Sequence, residues 1–117
     1  MYESITELQA LHLYPELRAL LAVRRAGWVF RELHEGDEIV GIVGSLSRRQ
    51  YTDAIFIFDR HDVAAARVLD DSLGGGCVWS RERADLAEIV TELLDLPEPG
   101  QSGAPALVKR SNPWRLR

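Results

Sequence analysis

The chain has 117 residues, 46% of them hydrophobic and 27% charged, with a formal net charge of −4; that is enough for one domain with its own core, of ordinary globular composition. No apolar run approaches the ~20 residues of a membrane-spanning helix, and Met1-Tyr2-Glu3-Ser4 has neither the basic nor the apolar region of a secretory signal, so export by that route is not expected. Cys77 is the one cysteine, which excludes an internal disulfide and fits a reducing compartment, the cytoplasm.

Charge is unevenly spread. Ten Arg against eighteen acidic residues give residues 1–98 a charge of −8, whereas Lys109, Arg110, Arg115 and Arg117 give the remainder +4. An acidic body speaks against nucleic-acid binding, which needs a basic footprint. The basic tail either folds back on that body or meets an anionic partner. Thirteen Arg against one Lys, with many Ala, Gly, Leu and Val, indicate a GC-rich bacterial genome and say nothing of function.

In chain order, Ser4-Ile5-Thr6-Glu7 has the capping-box pattern, in which a hydroxyl and a carboxylate satisfy free amides at a helix start. Ile5, Leu8 and Leu11 then recur at helical spacing. Pro15 cannot continue that ladder, so a first helix ends near Leu13 and a second begins at Pro15. Leu17, Leu20 and Leu21 form its apolar stripe, Arg24 and Arg25 suit the negative end of its dipole, and Gly27 ends it.

Trp28–Glu35 and Glu38–Leu46 read as two strands joined at Gly36. Gly41 and Gly44 in the second leave room for a bulge or for a large ring such as Trp28. After a polar connection at Ser47–Gln50, Tyr51–Phe58 is a third strand. Its run Ala54-Ile55-Phe56-Ile57-Phe58 does not alternate, which implies that both faces of the sheet are covered. One face takes the helices. The other needs the C-terminal segment, a second copy or a different partner.

Two readings compete for Asp59–Leu73. Asp59 can cap a helix through Val63–Leu69, or a turn at Arg60-His61-Asp62 can lead into a fourth strand; the strand is preferred because sequential antiparallel strands are readily connected. A loop at Asp70–Gly76 and a short strand at Cys77–Trp79 follow. Ser80 is then expected to cap a helix with Glu82 and Asp85 in its first turn and a stripe of Leu86, Ile89, Val90, Leu93 and Leu94. Pro97–Pro105 is too rich in Pro and Gly for regular structure. The expected organisation is α+β: residues 1–96 as one domain, with an antiparallel, meander-like sheet of four or five strands, two helices before it and one after. Residues 97–117 form a linker and an apolar-basic tail. The stretch from Leu86 through Leu94-Asp95-Leu96-Pro97-Glu98-Pro99-Gly100 to Pro105 resembles the end of some type VII secretion-associated chaperones, a general likeness of helix and tail from which no residue role follows.

Chemical motifs are weak. Gly74-Gly75-Gly76 lacks the following helix and the Lys-Ser/Thr pair of a phosphate loop. Asp59-Arg60-His61-Asp62 gathers titratable groups at a strand end, yet His12 and His34 stand at no zinc spacing. Cys77 with His61 is a conceivable nucleophile and base; beside Val78 and Trp79 it reads better as a small buried hydrophobe. Arg48, Arg49 and Tyr51 form a small basic-aromatic cluster. No cofactor or metal is implied. The function expected is non-catalytic protein–protein contact, as an adaptor, chaperone or regulator, with self-association as a homodimer. Ile55, Ile57, Leu107, Val108, Arg110, Trp114 and Arg115 are the expected contact residues. The alternative is a small-molecule binder or enzyme with a pocket between sheet and helices near His61, lined by Trp28, Tyr51, Phe56 and Trp79.

Overall fold

A computed structural model describes residues 2–23, 27–70 and 75–108. The chain is α+β. Five strands, β2 (Val29–Glu35), β3 (Glu38–Arg48), β4 (Tyr51–Asp59), β5 (Asp62–Leu69) and β6 (Gly76–Ala84), form an antiparallel meander. A short strand, β1 (Tyr2–Ile5), extends it as a sixth and edge strand beside β2. Before the meander come α1 (Glu7–Leu13), a 3-10 turn at Pro15–Leu17 and α2 (Arg18–Val23); after it comes α3 (Leu86–Asp95).

The start of α1 differs from the Ser4 expectation. Thr6 is the N-cap: its hydroxyl accepts from the Gln9 amide at 3.1 Å, while Gln9 Oε1 accepts from the Thr6 amide at 2.8 Å. The box sits two residues later than expected because Tyr2–Ile5 is taken by pairing with β2, Ile5 lying opposite Phe30. Leu8 is consequently exposed and Ala10 is the buried residue of this helix. Pro15 begins the second helical piece as expected. Arg24 and Arg25 lie outside the described residues.

Residues 62–69 form a strand. Asp59 Oδ1 accepts the His61 amide at 2.8 Å, which closes the turn and brings β5 back along β4. The helix expected from Ser80 starts later. β6 keeps pairing with β5 as far as Ala84, so Ser80 lies opposite Ala66 within the sheet and Asp85 becomes the N-cap residue of α3. Long-range ladder bonds here outweigh a local cap.

The two inner glycines have separate reasons. At Gly44 a Cβ would lie 2.6 Å from the Phe30 ring, so Phe30, rather than Trp28, needs the space. At Gly41 a Cβ would meet the carbonyl oxygen of Ile57 at 2.4 Å, a close approach of backbones. Trp28 stacks on Phe30 with centroids 6.0 Å apart. All the helical segments pack on one side of the sheet: Ala10, Leu17, Leu20, Leu21, Leu86, Ile89, Val90 and Leu93 share one core cluster with Phe30, Ile42, Leu46, Ile55, Ile57, Val63 and Ala65.

Candidate functional site

The strand registers sort the sheet into two faces. Opposed residues point the same way in an antiparallel pair, so the row Phe30, Gly44, Ile55, Ala65 faces the helices. The residues between them, including Leu33, Val43, Ala54, Phe56, Ala64, Ala66 and Val68, face away. Cys77 is opposite Val68 and joins this second face. The continuous apolar run of β4 is thus divided: Ile55 and Ile57 point into the helix-side core and are fully buried, while Ala54, Phe56 and Phe58 occupy the other side and are half-buried. Ile55 and Ile57 are therefore inaccessible to a partner, contrary to the expectation. The strand's alternation leaves Phe56 and Phe58 on the side away from the helices.

The tail residues expected at a contact divide as well. Leu107 is 85% exposed and Val108 36%. Arg110, Trp114 and Arg115 lie outside the described residues. The base of the tail is fixed by a polar network that the sequence reading missed. In the β4–β5 register Asp53 stands opposite Arg67. Arg67 is wholly buried, and its Nε and Nη2 donate to the two carboxylate oxygens of Asp53 at 2.7 and 3.0 Å. Its Nη1 donates to the Pro97 carbonyl at 2.6 Å. Arg48 reaches the same Asp53 at 3.1 Å and Glu98 at 2.6 Å. Such fork-to-carboxylate pairing orients both partners, and here it ties the chain after α3 to the β3–β4 end of the sheet. The available signal was a hairpin centred at Arg60-His61, which brings residues near 53 and 67 together.

From that anchor the chain passes Arg49, Gln50 and Tyr51, with which Pro99, Gly100 and Ala106 enclose a cleft of about 370 Å³. Arg49 takes a left-handed φ of 56° in the two-residue turn, and its guanidinium lies against Gly100. The basic-aromatic cluster thus serves to seat the start of the tail. A second cleft of about 320 Å³, lined by Ser47, Arg49, Thr52, Val68 and Asp70, adjoins the same hairpin end.

The other candidates are dispersed. His61 is at the β4–β5 tip, its side chain 76% exposed, with Nδ1 3.2 Å from Asp85 Oδ1. Arg60 crosses to Glu16, donates also to the Leu13 carbonyl and lies over the Tyr14 ring. That hydrogen bond holds the Glu16 carboxyl below its ordinary range and raises Arg60. The tip cluster therefore clamps the helical pair and the start of α3 onto the sheet. Cys77 sits at the far end of the β5–β6 hairpin from His61, and its thiol donates to the Trp79 carbonyl at 3.1 Å, so the two do not form a nucleophile–base pair. Gly75 and Gly76, both with positive φ, lead into strand β6 and not into a helix. Trp28, Tyr51, Phe56 and Trp79 do not line one pocket, because Trp28 belongs to the helix-side core and Phe56 to the opposite face. Among the described residues no cluster of metal-ligating side chains occurs. No family model, curated protein or solved structure matches the chain.

Proposed function

We propose that the protein is non-catalytic and acts by protein–protein contact, as a small adaptor, chaperone or regulator, with a second copy of itself as its first partner. The observation that supports this reading is the second face of the sheet. Val43, Ala54, Phe56, Phe58 and Val68 give that face half-buried apolar side chains outside the core that the described helices share. Apolar surface of this kind is where proteins meet, and two such faces stack into a sandwich with a core about 10 Å thick. An apolar sheet face suits another sheet better than a small ligand, which prefers a concave site with convergent polar groups.

Light scattering across a concentration series tests the reading. The mass should rise from the 13.2 kDa of one chain towards twice that value. Val43→Glu, which puts a charge on the second face and leaves the helix-side core unchanged, should hold the protein at the single-chain mass. A wild type that stays at 13.2 kDa throughout rejects the homodimer. Association that persists undiminished in Val43→Glu moves the contact to another surface.

A further inference from the structure

The β3–β4 turn holds an arginine where its backbone favours glycine. Arg49 and Gln50 form the two-residue turn between Arg48 and Tyr51, and of the two only Arg49 has a positive φ, 56°. Hairpin turns with a positive φ at the first central residue alone take glycine there, because a Cβ is crowded in that conformation. The arginine is also unpaired. Arg48 takes the neighbouring carboxylates, Asp53 at 3.1 Å and Glu98 at 2.6 Å, and among the described residues no acid pairs with Arg49. Its guanidinium instead lines the cleft of about 370 Å³ between this turn and residues 99–106, with Nη1 3.1 Å from the position a Gly100 Cβ would take. Of the residues lining this cleft, Arg49 is the only one with a charged side chain. Gln50, Tyr51 and Gln101 add neutral polar groups, and Pro99 and Pro105 add apolar wall.

We propose that this cleft is a binding site for a small aromatic carboxylate, with Arg49 as the group that recognises the anion. A cleft whose single ionised group is a cation favours a negative ligand. The guanidinium is a planar fork that pairs both oxygens of a carboxylate at once. The half-buried Tyr51 ring and the rings of Pro99 and Pro105 give flat apolar contact for the body of the ligand. The volume lies within the range of small-molecule sites. The adjoining cleft of about 320 Å³ shares Arg49 but has Asp70 on its wall, and an acid there opposes an anion, so the first cleft is the one that fits. A ligand so placed touches both the sheet and the chain after α3. It adds a third tie to those at Arg67–Pro97 and Arg48–Glu98 and holds residues 99–106 against the β3–β4 turn. The site is distinct from the sheet face proposed as the contact surface, and neither depends on the other.

Benzoate is the probe, with benzamide as its neutral counterpart and inorganic phosphate as a non-aromatic anion. Each is titrated into the isotope-labelled full-length protein while the amide resonances are followed. Benzoate should shift residues 49–51 and 100–106 saturably. It should also slow exchange of the Gln101 and Ala104 amides, which close two turns of that segment on the Glu98 and Gln101 carbonyls at 3.0 Å each. Loss of the charge-assisted pair should weaken binding by about tenfold or more, both for benzamide on the wild type and for benzoate on Arg49→Gly. Glycine suits the turn, so Arg49→Gly should melt at or above the wild-type temperature. Arg49→Lys, which keeps the charge and loses the fork, should bind benzoate with an affinity between the two. Equal binding of benzoate and benzamide, or of benzoate by wild type and Arg49→Gly, overturns the proposal. Phosphate that binds as tightly as benzoate also overturns it and makes the cleft a plain anion patch, and so does the absence of any saturable shift. A lower melting temperature in Arg49→Gly, with residues 100–106 already displaced before any ligand is added, assigns Arg49 to holding that segment and overturns its role in recognition.

Discussion

At the scale of single residues, Arg67 and Asp53 are the pair on which the sheet most depends. Both are buried, and each supplies the charge that makes the other tolerable away from water. Asp53→Ala leaves Arg67 without its carboxylate and should cost about 3–5 kcal/mol of stability, read as a lower urea midpoint with an unchanged slope. Replacing both residues, Asp53→Leu with Arg67→Met, should recover most of that loss, since no buried charge is then left alone. The Arg60–Glu16 contact is on the surface, so its effect is small and lies on the acid side. Pairing lowers the Glu16 carboxyl from its ordinary value of 4.5. The stabilisation is therefore complete above that value and is lost as the pH falls through the lowered value of the folded state. Denaturation curves of Glu16→Gln and wild type should differ near pH 7 and converge in strong acid. A sequence shows the charges of Arg67 and Asp53 but not their opposition, because a one-residue bulge between Ile57 and Asp59 sets the register. Without that register, an Arg within Val63–Leu69 reads as a solvated residue.

The elements divide according to how local their causes are. The first three strands of the meander were legible from β-branched runs and turn residues, and so was α3 from its apolar stripe, whereas the alanine-rich β5 read almost as well as a helix and β6 only as the short strand Cys77–Trp79. The boundaries that depend on partners far along the chain were not. Ser4-Ile5-Thr6-Glu7 has a capping pattern, yet Tyr2–Ile5 becomes a strand because β2 offers an edge, and Ser80 is drawn into β6 by Ala66. Thr6 illustrates a cap whose worth can be measured. Thr6→Ala removes the acceptor for the Gln9 amide and should cost about 1 kcal/mol in thermal or chemical unfolding. Gly41 illustrates the constraint between strands. Its Cβ position is 2.4 Å from the Ile57 carbonyl oxygen, so Gly41→Ala must part β3 from β4. The expected cost is about 1–3 kcal/mol, with amide exchange rising first along the β3–β4 ladder. A loss confined to β1 and β2 would show that the bulge at Leu33/His34 absorbs the strain instead.

For the whole molecule, the unbroken apolar run of β4 led to the expectation that both sheet faces are covered, while the assignment of faces required the register. Ile55 and Ile57 went to the helices and left Phe56 and Phe58 for the other side. Charge separates the ways in which that side can be closed. The body to Glu98 carries −8 and residues 109–117 carry +4. Two acidic bodies stacked through apolar faces repel one another, so added salt should tighten self-association there. A contact made instead by the basic tail of one chain on the acidic body of another should weaken with salt. Light scattering at ionic strengths of about 0.01 M and 0.15 M, where the Debye length falls from about 30 to about 8 Å, distinguishes these signs. Tighter association at the higher ionic strength places the contact on the apolar sheet face, and weaker association places it on the tail.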